Sequence, residues 1–276
     1  MPYATSGGIR LYWEEHGAGD PLLLIMGLGA TLEWWARVTP TLAARHRTIL
    51  LDNRGVGRSD VPPGPYSIPQ MADDAAAAMD AAGVDTAHVF GASMGGMIAQ
   101  ELVLRHPSRV RSLILGCTAC GGDQVVPASR EVGAKLAARA SMTREEAMWA
   151  MAPHIFDAGT PRQMVAEDIA TRLESTVTNE GYFAQLQGIR AWSGSHDRLG
   201  TIAVPTLVIH GESDELVPPE NGRIVARAIP GSQLVTIPHA SHIFLTDQFQ
   251  TASTAILNFL GSRKQGRPSG LPGRTR

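Results

Sequence analysis

The sequence has no apolar run long enough to cross a bilayer; its longest, such as LLLIM at 22–26, fall far short of what a spanning helix needs. It also lacks a dominant charge. Lysine and arginine number 24 against 26 acidic residues, for a formal net charge of -2, which removes the bulk electrostatic reason to bind nucleic acid or anionic membrane. The stretch MPYATSGGIRLYWEEHG lacks the basic start and continuous apolar segment of a signal peptide, so a soluble, cytoplasmic protein acting on a small molecule is expected. Cysteine is scarce. Cys117 and Cys120 form a single CxxC with no second pair, so a closed zinc site would need ligands from elsewhere; the reading is two reduced thiols near a strand end, with no metal and no cofactor. Nothing in the pattern sets an oligomeric state.

What is present is enough apolar material, 43% of 276 residues, for one large α/β domain. IRLYWEEHG alternates as a strand with one wet face does. Four continuous apolar runs follow, LLLIM, TILL at 48–51, HVF at 88–90 and SLILG at 112–116, as suits strands buried on both faces of a parallel sheet. Helical segments are expected between them at roughly 32–44, 67–82 and 94–105, the second capped by Ser67, with Gln70 placed to reciprocate. This alternation implies a mostly parallel, doubly wound sheet. It breaks between 118 and 203, where only helical patterns occur, and resumes with PTLVIHG and QLVTIP. The expected organisation is a core in two parts, 1–117 and 204–260, a helical cap at 118–203 inserted after the sixth strand, and a disordered basic tail at 261–276.

The stretch HVFGASMGGMIAQ places Ser93 between a strand and a helix, with Gly91 and Gly95 two residues away on each side. That is the GxSxG nucleophile elbow in its required context. A serine there stands clear of the sheet's carboxyl edge, near helix N–H groups that favour developing negative charge. A serine hydroxyl needs a base, and the base needs a carboxylate to fix its tautomer. GESDELVP after PTLVIHG offers Glu212, Asp214 and Glu215; HASHIF after QLVTIP offers His239 and His242.

With these residues the chain resembles the serine-dependent α/β-hydrolase family over nearly all of 3–260. The resemblance implies the α/β-hydrolase fold. It selects Asp214, from the family's GxxDxxxP-like turn, and His242, which precedes the final helix. It leaves Glu212 and Glu215 as loop charges and His239 as a loop residue. It also implies an oxyanion hole built from the backbone N–H groups of Met94, after the nucleophile, and Leu28, in MGLG at 26–29 where relatives carry HGxG. Met26 replaces the histidine that often braces this loop, which leaves the loop's support open. DNRGVGRSD at 52–60 resembles the family's DxRGxGxS turn, giving Asp52, Arg54 and Ser59 a structural role.

The implied chemistry is acyl transfer to water from a small ester or lactone, through an acyl-enzyme on Ser93. MGLGATLEWW with a short helical cap is similar to the branch containing 3-oxoadipate enol-lactonases and metal-independent acyl-homoserine lactonases. Trp149, Met151, Phe183 and Trp192 would suit an apolar acyl group or would pack the cap. A dicarboxylic substrate would call for arginine in the pocket, for which Arg130, Arg144, Arg162, Arg172 and Arg190 are available. Three other outcomes stay open: perhydrolase or haloperoxidase-like chemistry, an iminopeptidase using Glu145, Glu146, Glu167 or Asp168 to hold an amine, and a ligand receptor with a hydrolase pocket.

Overall fold

The computed structural model describes residues 3–262. Of the tail expected at 261–276, residues 263 onward lie outside these. Eight strands form one sheet: β1 (Tyr3–Ser6), β2 (Ile9–His16), β3 (Asp20–Ile25), β4 (His46–Leu51), β5 (Ala87–Ala92), β6 (Val110–Gly116), β7 (Thr206–Gly211) and β8 (Gln233–Ile237). The helices are α1 (Thr39–Ala43), α2 (Ile68–Ala81), α3 (Met94–Arg105), α4 (Arg130–Ala138), α5 (Arg144–Ile155), α6 (Arg162–Leu173), α7 (Asn179–Ala191), α8 (His196–Leu199), α9 (Glu220–Ala228), α10 (Phe244–Asp247) and α11 (Phe249–Gly261). The sheet order is β1-β2-β4-β3-β5-β6-β7-β8. β2 is antiparallel to both its neighbours, and β3 to β8 are parallel.

Continuous apolar runs are needed because neighbouring side chains of a strand point to opposite faces, and both faces are covered. Leu23, Ile25, Val89 and Leu113 pack on one face with α2 and α3, whereas Leu22, Leu24, Phe90 and Ile114 pack on the other with Trp35, Phe244 and Phe259. Each such side chain contributes on the order of 1.5–3 kcal/mol on burial. Helices α4 to α7 lie between β6 and β7 and form a helical insert with its own small apolar cluster around Met148, Phe156 and Ile169.

Local chemistry sets several boundaries differently from the sequence pattern. The segment expected as one helix at 32–44 is a 3-10 turn at Leu32–Trp35 followed by α1, with Pro40 in the first turn of α1. Ser67 caps α2 by accepting from the Gln70 amide, and the reciprocal capping box occurs instead at Thr143 and Glu146 of α5. The last helix is divided at Gln248. No helix among the described residues is long and apolar enough to cross a membrane.

Candidate active site

The carboxyl ends of β3, β5, β6, β7 and β8 meet along one edge of the sheet, and Leu28, Ser93, Asp214 and His242 lie in the turns that leave β3, β5, β7 and β8, with Met94 opening α3 beside Ser93. Ser93 follows β5 with φ 56° and ψ -124°, a strained backbone for a residue with a side chain. The strain is held from several sides. Its amide donates to the Gly116 carbonyl, and its own carbonyl accepts from the Gly96 and Met97 amides and the Thr118 hydroxyl. The small neighbours are obligatory: a Cβ on Gly95 would lie 2.0 Å from the Ile25 carbonyl oxygen, and one on Gly91 would lie 2.2 Å from the Gly95 oxygen. Gly27 is tight as well, though less so, since its Cβ would sit 2.9 Å from that of Ser93.

Asp214 and His242 are brought together. His242 Nδ1 lies 2.8 Å from Asp214 Oδ2, and because a carboxylate only accepts, Nδ1 carries the proton. Asp214 Oδ1 accepts from the Leu216 and Val217 amides at 3.0 and 2.8 Å. Burial works against the Asp214 charge, but the His242 charge and the hydrogen bonds from His210 and His242 outweigh it and hold the carboxyl down at about 2. Burial likewise works against an imidazolium at His242; the Asp214 carboxylate, with a further contribution from the Cys117 thiol beside the ring, holds it well above the ordinary histidine range. Of the rival residues, His239 is exposed at φ 54°. Glu215 is more than a loop charge. It accepts from Nδ1 of the largely buried His154 on α5 at 2.5 Å, while Ile243 donates its amide to the Ile155 carbonyl, so the insert is tied to both loops.

Ser93, Leu28, Met94 and His242 all line one cavity of about 590 Å³ beneath the insert. Met94 opens α3, so its N–H is among the four that a helix leaves without an internal acceptor. The loop carrying Leu28 does have braces, which the sequence reading did not identify. Asn53 donates Nδ2 to the Met26 carbonyl at 2.8 Å; Gln185, fully buried on α7, accepts from the Gly29 amide at 2.8 Å and donates to the Arg54 carbonyl at 2.8 Å. The Tyr182 ring packs where a Cβ on Gly29 would be. Arg54 itself forms a buried two-point ion pair with Asp74, Asp52 accepts from the Leu32 and Arg58 amides, and the Ser59 hydroxyl donates to the Asp52 carbonyl, a structural set throughout.

Most of the cavity wall is apolar, including Met97, Leu136, Met148, Met151 and Ile155. Of the four apolar insert residues singled out in the sequence, Met151 lines this cavity. Trp192 instead joins the core and donates to Glu101, Trp149 packs within the insert, and Phe183 packs edge-on to Tyr182. Among the five arginines named, Arg172 reaches the cavity. It donates to Asp168 at 2.9 Å and lies 4.0 Å over the Trp34 ring. Asp168 also accepts from Arg37 and Thr246, so it is not a free anion for an amine. Arg139, not singled out, lines the cavity 4.1 Å over the Tyr182 ring.

Known proteins of this architecture are numerous. The chain is 34% identical over 96% of its length, and all of the relative's, to RutD of Azorhizobium caulinodans, which carries the name of a carbamate hydrolase. It is 32% identical over 89% of its length, and 86% of the relative's, to the poly(3-hydroxyalkanoate) depolymerase of Ectopseudomonas oleovorans. The enol-lactonase from Burkholderia xenovorans LB400 superposes with a TM-score of 0.81, at 29% identity, covering 94% of this chain and 100% of that one. Residues 20–248 match the family described as the alpha/beta hydrolase fold, and with the sheet order, the insert and the strained serine at the end of β5, this chain belongs to that family.

Proposed function

We infer that the protein is a serine-dependent carboxylic ester hydrolase whose substrates include lactones, and that Ser93, His242 and Asp214 carry the reaction. The observation that carries this reading is the opening of Ser93 and of an Asp214-bound His242 onto one apolar cavity. In this reading His242 Nε2 takes the Ser93 proton as the oxygen attacks the carbonyl. The Leu28 and Met94 amides receive the oxyanion, and His242 returns the proton to the leaving alcohol. Water activated by the same imidazole then releases the acid. A cavity of about 590 Å³ with methionine and leucine walls suits an acyl group of some size rather than a very small acid. Arg139 at its wall offers positive charge to a substrate that carries a second carboxylate, whereas Arg172 is already paired with Asp168.

Similarity to RutD favours a second reading, hydrolysis of a carbamate by the same residues. The apolar wall argues for the ester and lactone reading, because a small polar carbamate would leave most of it without a partner. A fluorophosphonate probe tests the common core of both. One adduct per chain, mapped to the Ser93 peptide and blocked by a substrate ester, is the expected result; labelling elsewhere, or none, would contradict it. Competition by a medium-chain lactone against a carbamate then ranks the two.

A further inference from the structure

A second histidine reaches the same oxygen of Asp214. His210 is the penultimate residue of β7 and is fully buried. Its Nε2 lies 2.8 Å from the Val217 carbonyl oxygen and 3.2 Å from Asp214 Oδ2, the oxygen that His242 also uses. Its other nitrogen, Nδ1, is buried without a hydrogen-bond partner among the described residues. The helix α9 presses on that edge: a Cβ on Gly222 would stand 2.6 Å from Nδ1.

These contacts fix the tautomer of His210. The Val217 carbonyl can only accept, so the proton is on Nε2. The ring therefore donates from Nε2, and Nδ1, packed against Gly222, has no hydrogen-bond partner among the described residues. Asp214 Oδ1 is already fixed by two amides, which leaves the carboxylate's twist to be set at Oδ2. We propose that His210 is a positioning residue for the acyl-transfer reaction: its Nε2–H, shared between Val217 and Asp214, holds the carboxylate plane so that Oδ2 faces His242 Nδ1. His210 does not line the cavity, so its effect falls on turnover rather than on substrate binding.

The proposal rests on the reading of Ser93, His242 and Asp214 as the reacting set, and the test separates the two. His210→Phe keeps a ring and removes the donor; His210→Gln returns an N–H near the position of Nε2. With a soluble ester, the Phe variant is expected to lose about ten- to hundred-fold in kcat, the loss of a charge-assisted hydrogen bond. Its KM should stay within about twofold of wild type, since no cavity contact changes. The Gln variant should recover most of kcat. In ¹⁵N-labelled wild-type protein without substrate, His210 should show a protonated Nε2 and a bare Nδ1, and the His242 Nδ1–H resonance should move in the Phe variant and return in the Gln variant. A proton on His210 Nδ1, an unchanged kcat in the Phe variant, or a Gln variant no better than Phe would overturn the proposal. Hydrolysis that survives Ser93→Ala would instead defeat the reacting set, while the tautomer of His210 is read without turnover.

Discussion

His242 Nδ1 meets Asp214 Oδ2 at 2.8 Å across 28 residues of sequence, because β7 and β8 are parallel neighbours and each delivers one partner from its carboxyl end. Adjacent parallel strands carry their loops out on the same edge, so register alone brings the acid and the histidine together. β5, two strands further along, presents Ser93 on that edge as well.

The charge relation gives a pH dependence with a definite sign. Burial disfavours the His242 imidazolium, but Asp214 outweighs it and raises His242 well above the ordinary value of 6.5. In the proposed role of general base His242 must be neutral, so kcat/KM should rise with pH through an ionisation above 6.5 and be small at pH 6. The stability linkage runs the other way. A raised folded value means that the stabilisation is fully present below the unfolded value and is lost as pH rises through the folded one. Activity should therefore grow over the range in which this contribution to stability fades. A pH–rate profile with its acid limb at or below pH 6 would contradict the assignment.

Much of this site is legible in the sequence where the chemistry is local. The elbow at Ser93 needs glycines at 91 and 95 because the strand and helix backbones come that close, and spacing alone reveals it. The continuous apolar runs reveal strands covered on both faces. What the sequence does not reveal is the partner of a loop when that partner is distant. Gln185 lies 156 residues from Gly29, on a helix whose pattern marks its apolar side, and no local signal ties its amide to the β3 loop. Glu215 looks like a solvated loop charge because its partner His154 is on α5, 61 residues away in the sequence. The four-residue edge strand β1 is too short to show a period.

Gln185→Leu tests that brace. It removes the acceptor of the Gly29 amide and the donor to the Arg54 carbonyl, both buried, at a cost of about 1–3 kcal/mol for each group left unsatisfied. Displacement of the Leu28 loop should lower kcat on the order of 10- to 100-fold. Urea unfolding and steady-state kinetics on the same preparation check both. A variant with wild-type stability and turnover would show that Asn53 and Tyr182 suffice.

The Arg54–Asp74 pair predicts a larger loss of stability. Both side chains are almost fully buried, at 5% and 1% exposure, so Asp74→Ala leaves a guanidinium without its counter-charge. The expected destabilisation is about 3–5 kcal/mol, and a double replacement, Arg54→Met with Asp74→Leu, should regain most of it. A single variant within about 1 kcal/mol of wild type would mean that water or another group takes over the charge.

Gly95→Ala should disable the elbow. The added methyl would collide with the Ile25 and Met26 backbone, which has no flexible end to move aside. Lower thermal stability together with loss of activity is expected in melting and turnover assays. Full activity would mean that α3 can shift without moving Ser93.

The most direct test is acid release in a pH-stat, offering a medium-chain lactone and an open-chain ester of matched length to the wild type and to Ser93→Ala. Removing such a nucleophile costs on the order of a million-fold in turnover. The account predicts rapid multiple turnover by the wild type and release at the uncatalysed rate in the variant. Comparable release from both proteins, or none from either substrate with the wild type, would contradict it.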